Sequence, residues 1–154
     1  MRVVALLVLS GILIVAAGAF PLWAAEEDKD NGDRAKLEGT WKLVSYEEDG
    51  KAMSAEDVKK VSLMVKGDKF TLKLPEETVE GSSKRDATKK PKEIDTTPAK
   101  GRFEGKTLLG IYELSDDTYK ACFAPPGKDR PKEFSSKKES GNILFVFKRE
   151  KAKP

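Results

Sequence analysis

Short segments in which apolar and polar residues alternate run through most of this chain, and turn residues separate them at regular intervals. Residues 69–74 show the pattern well, because Phe70, Leu72 and Leu74 share one face and polar residues lie between them. Alternation with a period of two is typical of β-strands that bury one side of a sheet. The pattern therefore predicts a mainly β protein.

About eight such strands can be placed between Leu37 and Arg149. They cover residues 40–46, 61–66, 69–74, 78–85, 93–97, 107–114, 118–124 and 142–149. The fourth and fifth are polar and close to prolines, so they are interpreted as edge strands or mobile loops. One short helix is predicted after Ser54, whose side chain suits an N-cap. Sequential strands of this number favour an eight-stranded antiparallel up-and-down barrel, with a sandwich as the alternative.

The N-terminal segment determines the expected compartment. A basic start at Arg2 is followed by an apolar run over residues 3–20 and then by small residues at Ala24 and Ala25. This order is typical of a secretory signal peptide cleaved after one of these two alanines. The alternative is an uncleaved membrane anchor, since the run approaches the ~18 residues of a spanning helix. Pro21 breaks a helix and so favours cleavage.

Composition divides the chain into four segments. Residues 1–25 are the predicted signal peptide, 26–36 a flexible acidic linker, 37–150 the β-barrel domain and 151–154 a basic tail. We expect an exported protein, located in the periplasm or outside the cell in the envelope. Contact with a membrane is expected only through the signal segment, if that segment stays uncleaved.

The chemistry available to the chain is limited by its composition. It has no histidine and a single cysteine, Cys122. Catalytic sites of the Ser-His-Asp and Cys-His type, imidazole zinc sites and thiolate metal sites are therefore excluded. The acidic residues available for a carboxylate pair or for calcium binding lie at turns, where turn geometry already explains them. We predict no catalytic residue, no metal, no cofactor and no enzymatic activity, and we interpret Cys122 as a small buried hydrophobe rather than a reactive thiol.

Charge gives little indication of a partner. The chain has 29 basic and 26 acidic residues, a balance that does not favour nucleic acid. The most basic run, residues 84–92, contains no aromatic residue on which bases could stack. We interpret this run as a solvated loop, with contact to an anionic surface as the alternative.

The first and last strands of the predicted barrel carry a recognisable pattern of residues. Gly39 and Trp41 stand at the start of the first strand, and Arg149 stands at the end of the last. This arrangement resembles the pattern of lipocalins and related calycins. The resemblance implies that Trp41 packs at the closed end of the barrel with the basic side chain across it. A guanidinium over an indole face gains cation–π attraction while it ties the two ends of the sheet together.

Further motifs resemble an uncharacterised lipocalin-like domain family that is abundant in planctomycete bacteria. Tyr119 and Lys132 depart from that family's pattern, which has an aliphatic and a small polar residue there. The resemblance implies an exported lipocalin-like domain and no known activity. The matching residues are 37–42, 89–95, 110–114, 117–118, Cys122 and 130–134.

These observations support two functional hypotheses. The first is a non-enzymatic module that binds a small apolar or amphipathic ligand, with Trp41, Tyr112, Tyr119 and Phe123 as lining residues. Arg130 is a candidate anion contact in a loop at the barrel mouth, or alternatively a structural partner of a carboxylate. The second hypothesis is a structural or interaction protein of the cell envelope, with a solid barrel core and basic contact loops or tail that bind an envelope protein or an anionic polymer.

Overall fold

Nine strands and two short helices make up the part of the chain that the computed structural model describes, residues 29–30 and 32–151. The helices are α1 (Asp33–Leu37) and α2 (Ala55–Val58). The strands are β1 (Gly39–Glu48), β2 (Lys51–Ala52), β3 (Ser62–Lys66), β4 (Lys69–Lys73), β5 (Thr78–Asp86), β6 (Lys92–Pro98), β7 (Leu108–Ser115), β8 (Thr118–Phe123) and β9 (Ile143–Arg149). The predicted signal peptide and residues 152–154 of the tail lie outside the described residues.

The strands close into an eight-stranded antiparallel barrel. Each strand from β3 to β9 pairs with the next, and β1 pairs with both β3 and β9. The short strand β2 adds to the edge of β1 at Glu47 and Glu48. The predicted mainly β up-and-down barrel is confirmed, and the sandwich alternative is wrong. The predicted helix after Ser54 is present as α2, and the Ser54 hydroxyl caps it by accepting the Asp57 amide.

The two polar segments interpreted as edge strands or loops are full members of the barrel, which corrects that interpretation. β5 pairs with β4 and β6 along most of its length, and β6 pairs with β7. Their inward positions include Ser83 and Thr96, whose hydroxyls lie 3.0 Å apart and bond to each other. Polar residues that satisfy one another in this way can stand inside a barrel without weakening it. Their polarity hid the strand pattern.

One end of the barrel is covered by α1 and the residues before it, and we call this the closed end. Leu37 is fully buried, and its carbonyl accepts a hydrogen bond of 2.8 Å from the Trp41 indole nitrogen. The carbonyl of Lys29 accepts the amide of Ala87 in the turn between β5 and β6. Residues 33–36, which the sequence analysis assigned to a flexible linker, therefore belong to the folded unit.

A β-bulge in β1 changes which of its side chains face inward. The pairing with β9 shifts register between Leu43 and Ser45. Trp41 and Leu43 face the interior before the bulge, and Tyr46 faces it afterwards. The bulge therefore places an aromatic ring at the end of the barrel opposite α1, which we call the mouth. No helix in the described residues is long and apolar enough to cross a membrane.

Candidate functional site

A cavity of about 210 Å³ lies inside the barrel. It is larger than the ~150 Å³ engineered cavity known to bind benzene and smaller than the ~300 Å³ at which pockets for drug-sized ligands begin. All eight barrel strands contribute to its wall, and most of the lining side chains are apolar. These are Leu63, Val65, Phe70, Leu72, Leu74, Val79, Ile94, Pro98, Phe103, Leu108, Ala121, Phe123, Ile143, Phe145 and Phe147.

Aromatic rings form one wall of the cavity from the mouth towards the closed end. Tyr46 meets Phe145 edge to face at 5.1 Å, and Phe145 stacks on Phe147 at 5.6 Å. Phe147 in turn stacks on Tyr119 at 6.0 Å. Such contacts fix the orientation of each ring. The wall is therefore a preformed apolar surface along which a chain or ring can lie.

The floor of the cavity, at the closed end, carries an arginine. β5 runs from the mouth to the closed end, and its inward side chains include Val79, Ser83 and finally Arg85. The Arg85 Nε is buried and has no hydrogen-bond partner, and no carboxylate of the described residues forms an ion pair with this side chain. Buried guanidinium nitrogens are ordinarily paired. The Nε–H of the half-buried Arg85 is therefore an unsatisfied donor in the lining of a largely apolar cavity.

Tyr119 lies at the same end, because it stands at the start of β8, which runs from the closed end to the mouth. Burial raises the pKa of Tyr119 to about 12, and the positive charge of Arg85 opposes part of that rise. Like any phenol, Tyr119 is protonated at neutral pH and can donate its hydrogen, and the raised pKa extends this state to alkaline pH. Arg85 and Tyr119 together form the polar floor.

The mouth holds a second arginine whose charge is already compensated. Arg102 Nη1 lies 2.6 Å from Glu48 Oε1, and the other oxygen of Glu48 accepts the Tyr46 hydroxyl at 2.6 Å. The Arg102 guanidinium also lies 4.7 Å from the centre of the Phe103 ring. Burial and the bond to Glu48 raise the pKa of Tyr46. This network crosses the mouth and compensates the charge of Arg102.

The structure divides the four aromatic residues predicted to line a ligand site. Tyr119 and Phe123 line the cavity. Trp41 and Tyr112 do not line it, and both are buried at the closed end with at most 1% of their surface exposed. Trp41 packs between α1 and Tyr119, and the Tyr112 hydroxyl donates to Asp33 at 2.9 Å. Trp41 and Tyr112 therefore lie beneath the cavity floor and support it.

The three residues predicted to close the barrel meet at the closed end. The Arg149 guanidinium lies 4.2 Å from the centre of the Trp41 ring, and it donates to the carbonyls of Lys36 and Glu38. Gly39 adopts a φ of +122°, and a β-carbon there would lie 3.3 Å from an Arg149 nitrogen. Glycine therefore leaves the space that the guanidinium needs above the indole.

Arg130 lies on the outer face of the barrel, away from the cavity. Its guanidinium is 2.8 Å from Asp95 and 3.6 Å from Glu93, and it donates to the Gly110 carbonyl at 2.7 Å. These contacts fasten the long loop 125–141 to β6 and β7. Arg130 is therefore placed as a structural partner of carboxylates, the second of its two predicted roles. A ligand in the cavity does not reach it.

Cys122 also faces outward, beneath the same loop. It is fully buried, and its sulfur lies 3.5 Å from the Ser135 carbonyl. Burial raises the pKa of the thiol. The surroundings are those of a small buried side chain. No group of three or more histidine, cysteine or acidic side chains in residues 29–30 and 32–151 could hold a metal ion.

Sequence reasoning did not single out Arg85, because it counted this residue within the basic run 84–92. The alternation that places Val79 and Ser83 on the inner face also places Arg85 there. The run is divided in the structure: Lys84 is exposed, Arg85 faces the cavity, and Lys92 pairs with Asp33 at 2.7 Å. The signal was present in the strand periodicity and was obscured by the charge pattern.

No family model matches the sequence, and no curated protein matches it. Among solved structures, the chain is similar to a DUF4847 family protein from Bacteroides vulgatus, with 12% sequence identity and a TM-score of 0.47. The match covers 79% of this chain and 99% of that one.

Proposed function

We propose that this protein is a non-enzymatic binding module that holds a small amphipathic or apolar ligand inside its barrel. The observation that carries the proposal is the cavity of about 210 Å³ with its largely apolar wall. Eight-stranded barrels either fill their interior with side chains or hold one small ligand. A ligand that fills the cavity removes this apolar wall from water, which favours binding in proportion to the apolar area buried.

The alternative hypothesis, a structural or interaction protein of the envelope, has less support. It required a barrel core filled by its own side chains, with basic loops or the basic tail contacting another protein or an anionic polymer. The interior instead contains the cavity, and the basic run 84–92 is divided between the surface, the cavity floor and an ion pair with Asp33. The binding module is therefore the function that the geometry favours.

The compartment and the family assignment are part of the same proposal. The basic start, apolar run and small residues of the N-terminal segment support export to the periplasm or the extracellular envelope. The motifs quoted in the sequence analysis support membership of the planctomycete lipocalin-like family. N-terminal sequencing of the protein recovered from the envelope tests the first point. A mature chain beginning at Ala25 or Glu26 is expected, and a chain beginning at Met1 would contradict it.

Native mass spectrometry on protein isolated from its own envelope, without detergent, tests the binding function. We expect a bound small molecule that is released on denaturation. A matched pair of variants then locates it. Ala121→Leu adds volume to the cavity wall and should abolish binding, whereas Lys120→Leu makes an equally apolar change on the outer face of the same strand. Equal binding by both variants would refute an interior site.

A further inference from the structure

We propose that Arg85 binds an anionic head group at the floor of the cavity, and that the ligand is a single-chain monoanionic amphiphile such as a medium-chain carboxylate. The inference rests on the proposed function, because it names the ligand class of the same cavity. The ligand lies with its head group towards the closed end and its apolar chain towards the mouth.

The first argument is the condition of Arg85 itself. Its side chain lines the cavity, its Nε is buried, and no described residue accepts a hydrogen bond from that atom. A guanidinium remains charged in any protein environment, so it cannot relieve the cost of burial by losing its proton. A carboxylate from outside the chain supplies the missing partner and accepts two parallel hydrogen bonds.

The second argument is the neighbouring donor. Tyr119 is buried at the same end, and no described residue accepts a hydrogen bond from its hydroxyl. A protonated phenol donates a hydrogen bond to an anion and, because it is uncharged, does not repel that anion. Arg85 and Tyr119 therefore both offer donors at the floor, where the hydroxyls of the neighbouring lining residues Ser83 and Thr96 already bond to each other.

The third argument is the charge balance, which selects a monoanion. The charged residues in the cavity lining are Glu77, Arg85 and Arg102. Arg102 is paired with Glu48 at the mouth, and Glu77 is exposed there. Lys92, at the closed end, is paired with Asp33. Among these lining residues, Arg85 is the charged one at the floor that makes no ion pair with a described residue, and a single negative charge is enough to pair with it.

The fourth argument is the order of surfaces along the cavity. Polar groups stand at the floor, and the wall above them is formed by aliphatic and aromatic side chains such as Phe70, Phe145 and Phe147. A molecule with one charged end and one apolar chain matches this order in a single orientation. The volume suits a chain of medium length.

The test compares three probes of equal chain length on lipid-extracted protein isolated from cells that produce the full chain. The probes are decanoate, decanol and decyltrimethylammonium, and their dissociation constants are measured by isothermal titration calorimetry. We expect decanoate to bind about tenfold or more tighter than decanol, because a hydrogen-bonded charge contributes at least that factor. The ammonium probe should bind weakest of the three.

A matched pair of variants assigns the effect to Arg85. Arg85→Met should weaken decanoate binding about ten- to a hundredfold and leave decanol binding unchanged. Lys84→Met removes the same charge from the adjacent, outward position and should change neither. Arg85→Lys keeps the positive charge but loses the planar guanidinium that makes two parallel hydrogen bonds. Its affinity for decanoate should therefore lie between those of the wild type and the methionine variant.

The outcomes separate this inference from the function on which it rests. If decanoate and decanol bind equally well, and Arg85→Met alters neither, the cavity binds ligands but Arg85 does not select them, and the inference is overturned. If none of the probes binds the extracted wild-type protein, the proposed function fails and takes the inference with it. Decanol binding by Arg85→Met shows that the variant has kept its cavity and its fold.

Discussion

The guanidinium of Arg149, at the end of the last strand, lies 4.2 Å from the centre of the Trp41 ring in the first strand. The two residues are also direct partners in the β1–β9 register, so this contact stands at the seam that closes the barrel. The guanidinium donates to two carbonyls at the end of α1 and just beyond it. One side chain thus joins the seam to the helix that covers the closed end.

Replacing Arg149 by methionine should lower the free energy of unfolding by about 2–3 kcal/mol, since the cation–π contact and two charged hydrogen bonds are lost together. Lysine at this position should recover only part of the loss, because an ammonium lacks the planar fork. Urea denaturation checks both values. Lys148→Met, at the exposed neighbouring position, is the control and should change stability by less than about 0.5 kcal/mol. Equal losses in the two methionine variants would contradict the role of the seam contact.

Asp33 should be more important for stability than its place near the start of the folded unit suggests. Its side chain is 3% exposed, and it accepts both the Lys92 ammonium at 2.7 Å and the Tyr112 hydroxyl at 2.9 Å. Asp33→Asn should therefore cost about 2–4 kcal/mol in thermal or urea unfolding. Asp68→Asn breaks the exposed ion pair with Arg34 and should cost less than about 1 kcal/mol. A similar cost for both substitutions would show that the burial of Asp33 is unimportant.

The tyrosines predict how stability depends on alkaline pH. The chain has three tyrosines, and burial raises the pKa of each of them, that of Tyr119 to about 12 from an ordinary 10.0. A folded-state pKa above the unfolded one gives a contribution that is fully present below pH 10 and is lost as the pH rises towards 12. The free energy of unfolding should fall by about 2–3 kcal/mol over this interval from Tyr119 alone.

Ultraviolet titration of phenolate absorbance checks this expectation. The native protein should show little ionisation near pH 10, whereas the protein in urea should titrate all three tyrosines near that value. Tyr119→Phe should lessen the alkaline loss of stability, because the group that titrates is removed. A native titration with a normal midpoint would show that the rings are accessible to water.

Cys122 should react slowly with thiol reagents at neutral pH. Its thiol is buried under the loop 125–141, and burial raises its pKa, so the reactive thiolate is scarce and shielded. The rate of labelling by a disulfide reagent in native buffer, compared with the rate in urea, measures the protection. Arg130→Gln releases the ion pairs that hold the loop and should increase the native rate. Rapid labelling of the unmodified protein would indicate a reactive thiol instead.

Local pattern was sufficient wherever one face of a strand is apolar and the other polar. It predicted β3, β4, β7, β8 and β9 and the capped helix α2, because these elements depend on periodicity and turn residues. It was insufficient for β5 and β6, whose inward hydroxyls at Ser83 and Thr96 satisfy each other across the strand pair. This hydrogen bond forms only once β5 and β6 are paired. In the sequence alone, the polar residues of these two segments are therefore typical of a loop.

The residues of the candidate site were likewise predictable from local pattern only in part. Tyr119 and Phe123 could be proposed as lining residues because aromatic residues in alternating strands commonly face a core. Trp41 and Tyr112 share that pattern, yet they lie beneath the floor, because α1 folds over the closed end and takes their polar atoms as partners. The sequence does not show which end of a barrel a helix covers.

The sequence by itself determined the mainly β class, the number of barrel strands and the absence of histidine and thiolate-cluster chemistry, since these follow from periodicity and composition. Tertiary structure decided which charges are compensated. Lys92, Arg102, Arg130 and Arg149 each find partners far away in the chain, and Arg85 finds none among the described residues. Pairing of charges depends on distances of a few ångströms between strands, and only the closed barrel fixes those distances.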